Sequence, residues 1–125
     1  MIFGIGTDII AVARLGRLYE RHQERALEKL LASSEMTAFA RSKDPARFLA
    51  KRFAAKEALG KALGIGVAAP ATLPNSAITH DALGKPAFAY APDLARYLDE
   101  RRLVAHLSIS DEADYAVAFV ILEQR

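Results

Sequence analysis

The sequence predicts an α+β fold: a single small domain over residues 1–125, with a largely antiparallel sheet packed against helices. Three observations carry this expectation. Strand patterns stand at both ends of the chain and in a turn-rich section between, and helical periodicity fills the remaining stretches. No repeat, low-complexity tract or interdomain linker divides the chain. Its 125 residues suit one core that needs no disulfide or structural metal, and 52% hydrophobic residues exclude intrinsic disorder.

Residues 1–8 read as a strand with Phe3, Ile5 and Thr7 on one face and Gly4, Gly6 and Asp8 on the other. Two glycines and a carboxylate are not expected to make a packing face; they leave room for something to approach the backbone closely, with Asp8 at the end. From about 9 to 31 the pattern is one helix, with Val12, Leu15, Tyr19, Ala26 and Leu30 sharing its apolar side. Ser33 and Ser34 open a short helix to about Arg41. Asp44 and Pro45 supply an N-cap and a first-turn proline for a helix ending at Leu63, which Gly64 terminates. A loop with two prolines covers 66–74. Short strands at 76–80 and 87–90 then flank the turn residues 81–86. Pro92 starts a helix to about Arg102, and strands at 104–110 and 115–122, joined by a polar turn, close the chain.

The net charge of +2 is unevenly spread. Residues 14–52 hold ten Lys/Arg and five Asp/Glu, whereas 53–125 hold seven and nine, so an anionic partner is expected for the first stretch. With no cysteine, a disulfide framework, a thiolate zinc site and thiol catalysis are excluded, and a reducing, cytoplasmic compartment is expected. No apolar run reaches ~18 residues and no basic-then-apolar leader is visible, so neither a membrane span nor export is expected.

Helix 45–63 is apolar nearly all round and therefore expected to be buried. Within it, Glu57 and Lys61 admit two readings. One is an i,i+4 ion pair worth ~0.2–0.5 kcal/mol. The other is a working acid, because a largely buried carboxylate needs a stronger partner than a solvated lysine. Asp8 divides the same way, between an N-cap for the helix starting near Ile9 and the second of two acids in apolar surroundings. Magnesium is held by one or two protein carboxylates with phosphates and water, a need that Asp8 and Glu57 together meet. Lys61, one turn on, would then neutralise a phosphate oxygen.

His106, Ser108 and Ser110 form a polar stripe expected to face the Gly/Asp side of the first strand, where it would suit phosphate or hydroxyl contacts; the alternative is a satisfied half-buried histidine. His22 and His80 read as surface or packing residues. Arg14, Arg17, Arg21 and Arg25 fall within about 80° of arc opposite the apolar stripe. They form either a solvated face paired with Glu20 and Glu24 or a docking face for an acidic helix of a partner protein. No DNA-binding motif or interleaved aromatics accompany them, so nucleic acid is not the expected partner. Phosphate-loop, HExxH, GxSxG and strand-to-helix GxGxxG templates are all absent.

The set Gly4-Ile5-Gly6-Thr7-Asp8-Ile9 with Arg14, residues 48–58 (Phe-Leu-Ala-Lys-Arg-Phe-Ala-Ala-Lys-Glu-Ala) with Lys61, Gly84-Lys85-Pro86, and His106-Leu107-Ser108-Ile109-Ser110 resembles the holo-acyl-carrier-protein synthases, the small 4′-phosphopantetheinyl transferases, over essentially the whole chain. The resemblance implies that fold and the transfer of phosphopantetheine from coenzyme A to a serine of apo acyl carrier protein, with release of 3′,5′-ADP, in fatty acid biosynthesis. It implies that Asp8 and Glu57 bind Mg²⁺ with the coenzyme A diphosphate, that Asp8, Glu57 and Lys61 are catalytic, and that Arg52, Lys61, Gly64, Pro86 and His106 contact coenzyme A, Arg52 and His106 near its nucleotide end. It places carrier-protein docking on the arginine helix, through Arg14 and Arg21 with Arg17 and Arg25 beside them, and implies a homotrimer with sites between subunits. One departure is Ala11, where many members carry glutamate. Two rivals stand beside this reading: a basic-helix binding module without chemistry, and a related transferase serving a specialised carrier domain.

Overall fold

The structure is a computed structural model describing residues 1–125. Its centre is helix α4, Pro45–Leu63. Asp44 caps it, Oδ1 accepting the Arg47 N–H at 3.1 Å; Pro45 occupies the first turn, and Gly64 closes the helix in the left-handed conformation at φ 82°. Leu49, Ala50, Ala54, Ala55, Ala58, Leu59 and Ala62 are buried around its circumference, as an all-round apolar sequence requires.

One flank of α4 carries an antiparallel sheet of order β1-β5-β4, formed by Ile2–Ala11, Tyr115–Gln124 and Leu103–Asp111. The other flank carries α1 (Val12–His22) and α2 (Glu24–Leu30), followed by a 3₁₀ turn at Ser33–Glu35 and α3 (Met36–Arg41). A separate antiparallel hairpin pairs β2 (Ser76–His80) with β3 (Pro86–Tyr90), and α5 (Pro92–Glu100) leads into β4. Every strand pair is antiparallel, as expected. No helix is long and apolar enough to cross a membrane.

The glycine face of β1 corrects one expectation. It is the packing face: a Cβ on Gly4 would lie 2.1 Å from the Ala62 carbonyl oxygen, and one on Gly6 would lie 2.0 Å from that of Ala58. What approaches the backbone is therefore α4 itself, and only hydrogen atoms fit between. Phe3, Ile5 and Ile9 point the other way and are exposed, Ile5 at 60% and Ile9 at 65%. With Val117, Phe119 and Ile121 they give the outer sheet face an apolar surface.

The first helix also starts later than its periodicity implies. Pairing with β5 carries β1 on to Ala11, opposite Tyr115, so Asp8 sits inside a strand and is not an N-cap. The helix then breaks at Gln23, φ 48°, which separates α1 from α2. The apolar stripe survives the break: Val12, Leu15, Ala26 and Leu30 are buried.

Candidate active site

The close packing of β1 on α4 brings Asp8 over the last turns of the helix. Lys61 Nζ donates to Asp8 Oδ1 at 3.1 Å and to the Thr7 carbonyl at 2.9 Å. The Asp8 side chain is only 15% exposed, and its second oxygen, Oδ2, is buried with no hydrogen-bond partner. Glu57 forms no ion pair, so the i,i+4 pairing with Lys61 is not made; the lysine reaches across to the strand instead. Partial burial, and secondarily the Asp8 charge, push the Glu57 carboxyl above its ordinary range against the opposing pull of Lys61 and Arg14. Two carboxylates and two cations from β1, α1 and α4 thus share one electrostatic neighbourhood.

Arg14 links this neighbourhood to the arginine face. Arg14, Arg17, Leu18, Arg21, His22 and Phe53 line a cavity of about 260 Å³. Arg25, beyond the break at Gln23, borders an adjoining cavity with Leu18 and His22. All four arginines are exposed and none is ion-paired, so the expected alternative of bridges to Glu20 and Glu24 is not what the structure forms.

The other predicted residues are not gathered at the acids. Gly64 caps α4 three residues past Lys61. Arg52 lies ~14 Å back along the helix from Lys61, its guanidinium 3.8 Å above the Phe48 ring. Its charge, together with that of Lys51, reinforces burial in lowering the pKa of His80, the direct strand partner of Pro86. Arg52 and Pro86 therefore belong to one region, at the turn end of the hairpin. His106 corrects a second expectation. Asp8 lies opposite Ala118, which lies opposite Ile109, so the inner face of β4 carries Ile109, Leu107 and Ala105. His106, Ser108 and Ser110 take the outer face, away from Asp8, because side chains alternate along a strand. There His106 Nε2 meets Glu123 Oε1 at 3.0 Å and, with Arg125, holds the Glu123 carboxyl below its usual range.

A buried charge cluster went unforeseen. Glu35, 3% exposed, and Lys56, 2% exposed, form an ion pair, and Lys56 Nζ also donates to the Leu30 carbonyl at 2.8 Å. Glu35 further accepts the N–H groups of Ala32 at 2.9 Å and Ile78 at 3.0 Å, so one carboxylate ties α4, the 3₁₀ turn and β2 together. The available signal was Lys56 itself: a lysine on an apolar helix must find an acid.

No cluster of three or more histidine or acidic side chains suited to a metal is present. A cation here would depend on two carboxylates and on ligand oxygens.

Against known proteins, residues 4–120 match the family model of the 4′-phosphopantetheinyl transferase superfamily (ACPS). The chain is 62% identical to the holo-[acyl-carrier-protein] synthase of Azoarcus sp. (strain BH72) over 125 residues, covering the whole of both. Its backbone matches the crystal structure of the holo-[acyl-carrier-protein] synthase from Neisseria meningitidis with a TM-score of 0.96 at 43% identity, over 99% of this chain and 100% of that one. It also matches the synthase from Bacillus anthracis in complex with CoA (3′,5′-ADP), with a TM-score of 0.84 at 31% identity over 100% and 99%. Sequence, backbone and the acids that β1 and α4 bring together lead to one placement: the chain belongs to the 4′-phosphopantetheinyl transferase superfamily, among its holo-[acyl-carrier-protein] synthases, and is a transferase.

Proposed function

We propose that this transferase moves the 4′-phosphopantetheine group of coenzyme A onto a serine of apo acyl carrier protein, releases 3′,5′-ADP, depends on Mg²⁺, and serves fatty acid biosynthesis in the cytoplasm. The observation that carries the reading is the buried, unpartnered Oδ2 of Asp8 beside a Glu57 that has no ion pair. The complex of the Bacillus anthracis neighbour with CoA (3′,5′-ADP) supports the choice of donor.

The residues present fit a magnesium ion. A buried carboxylate oxygen without a donor is costly, and two neighbouring acids repel unless a cation lies between them. Asp8 and Glu57 would hold the ion, leaving its other positions to diphosphate oxygens and water. Bound there, it would neutralise charge on the diphosphate that otherwise repels the incoming oxygen.

The side chains supply the rest. Lys61, whose head is half exposed, can turn from Asp8 toward a phosphate oxygen and stabilise the charge that gathers on the departing 3′,5′-ADP. The serine Oγ forms a bond to the phosphorus bearing pantetheine as the bond to the ADP oxygen breaks, and Glu57 accepts the serine proton. Arg14 stands at both the acid site and the arginine face, so a carrier protein docked through Arg14, Arg17, Arg21 and Arg25 would present its serine beside Glu57. Arg52, Lys61, Gly64, Pro86 and His106 are assigned to coenzyme A. Since His106 occupies the sheet face opposite Asp8, one ligand can meet both residues only in an assembly, and the exposed Ile5, Ile9 and Phe119 suit that face to the contact of a homotrimer.

Incubation with coenzyme A, Mg²⁺ and an apo carrier protein, followed by mass spectrometry, tests the proposal. The carrier should gain ~340 Da, the mass of the transferred group, with wild-type protein and not with Asp8→Asn. An unchanged carrier mass with wild-type protein, or full transfer by a folded Asp8→Asn, overturns it.

A further inference from the structure

We propose that Glu35, which touches neither acid, is a positioning residue that sets the guanidinium of Arg52 for the anionic nucleotide end of coenzyme A. The proposal rests on the reading of Arg52 as a coenzyme A contact.

The argument is one of donors and acceptors. Glu35 Oε1 accepts Lys56 Nζ and the Ala32 N–H, and Oε2 accepts the Ile78 N–H. Arg52 Nε approaches Oε2 only to 3.5 Å and makes no hydrogen bond, although it is buried. Arg52 is therefore drawn by charge while its donors stay uncommitted, and the Phe48 ring 3.8 Å below fixes the plane of the fork. The residue is 9% exposed, so a free guanidinium is held inside the fold in one setting.

Charge counting points the same way. One carboxylate faces two cations, Lys56 and Arg52, which leaves a buried excess of one positive charge. Lys51 nearby already pairs with Asp111 at 3.7 Å and His80 adds no acid; Asp81, the acid felt by His80, accepts the N–H groups of Leu83 and Lys85. A desolvated cation that keeps free donors and shares its one acid with a second cation is a seat for an anion. Glu35 places that seat without filling it, because Lys56 and the two backbone N–H groups take up its own acceptors.

The test uses the full-length protein, with 3′,5′-ADP and coenzyme A titrated by calorimetry. Removing Glu35 alone would strand the buried Lys56, so the informative variant is Glu35→Gln with Lys56→Met, which keeps the net charge and removes both members of the pair. It should keep its thermal midpoint within a few degrees while binding 3′,5′-ADP about tenfold more weakly. Turnover should show a raised KM for coenzyme A with kcat retained. Arg52→Ala should weaken 3′,5′-ADP to a similar extent, and adding it to the double variant should cost nothing further, since both act through one guanidinium. An undiminished affinity in the double variant overturns the role of Glu35, as does a loss that adds in full to that of Arg52→Ala, which would mark a general packing effect. Wild-type affinity in Arg52→Ala would instead overturn the reading of Arg52 and this inference with it.

Discussion

Lys61 satisfies one oxygen of Asp8 at 3.1 Å and leaves the other buried and bare. The ammonium pairs with Asp8 alone and Glu57 has no ion pair, so the two acids have room between them for a further positive charge. Replacing Asp8 by Asn removes the charge and should abolish tight Mg²⁺ binding. Transfer should fall on the order of 100-fold or more, the several kcal/mol that a bound metal contributes to charge stabilisation. Calorimetric Mg²⁺ titration and steady-state rates check this together.

Glu57 yields a pH-dependent prediction. Burial first, then Asp8, raise its carboxyl above the ordinary value, so the fold favours the protonated form. Its contribution to stability is complete below the unfolded pKa and is lost as pH rises through the folded one. In chelator, Glu57→Gln should therefore raise the thermal midpoint at pH 7, and the gain should disappear at a pH below the usual glutamate range. A gain of equal size at both pH values would contradict the assignment.

Gly6→Ala should destabilise the fold by about 1–3 kcal/mol or more, the cost of an overpacked contact. Its new methyl would meet a backbone carbonyl that cannot rotate aside, 2.0 Å away on Ala58. Urea unfolding should show a lower midpoint with an unchanged slope. Since the same contact sets the height of Asp8 over α4, Mg²⁺ affinity should fall with it.

Charge reversal of Arg14 and Arg21 should raise KM for the carrier protein about tenfold or more and slow association, with little change in coenzyme A affinity. The wild-type KM for carrier should rise with salt, and the reversed variant should lose much of that dependence.

Ile9→Asp places a charge on the exposed apolar face of the sheet, where Ile9 is 65% accessible. Light scattering should report the proposed trimer for wild-type protein and a monomer for this variant. Activity should disappear while far-ultraviolet circular dichroism is kept.

Most of the fold was legible because its signals are local. The Asp44 cap, Pro45 and Gly64 bound α4 at the residues where the structure starts and stops it, and the turn residues 81–86 announce the hairpin. Asp8, Glu57 and Lys61 were legible as a group because acids are rare in apolar segments, and the structure brings them together. The misreadings needed partners distant in sequence. Glycines 4 and 6 looked unfit for packing because the backbone of Ala58 and Ala62 that fills their side is invisible without the fold. The end of β1 and the side taken by His106 follow from pairing with β5, which residue periodicity alone does not fix. The ion pair of Glu35 with Lys56 spans 21 positions and leaves no periodic trace.

The placement of Asp8 and His106 on opposite sides of one three-stranded sheet means that neither copy of the chain is self-sufficient for a ligand needing both. In the proposed homotrimer with sites between subunits, two inactive versions, one lacking the aspartate and one lacking the histidine, should rescue each other when co-expressed, since the intact aspartate of one would border the intact histidine of the other. Genetic complementation between dead alleles would then follow from the alternation of side chains along a β-strand.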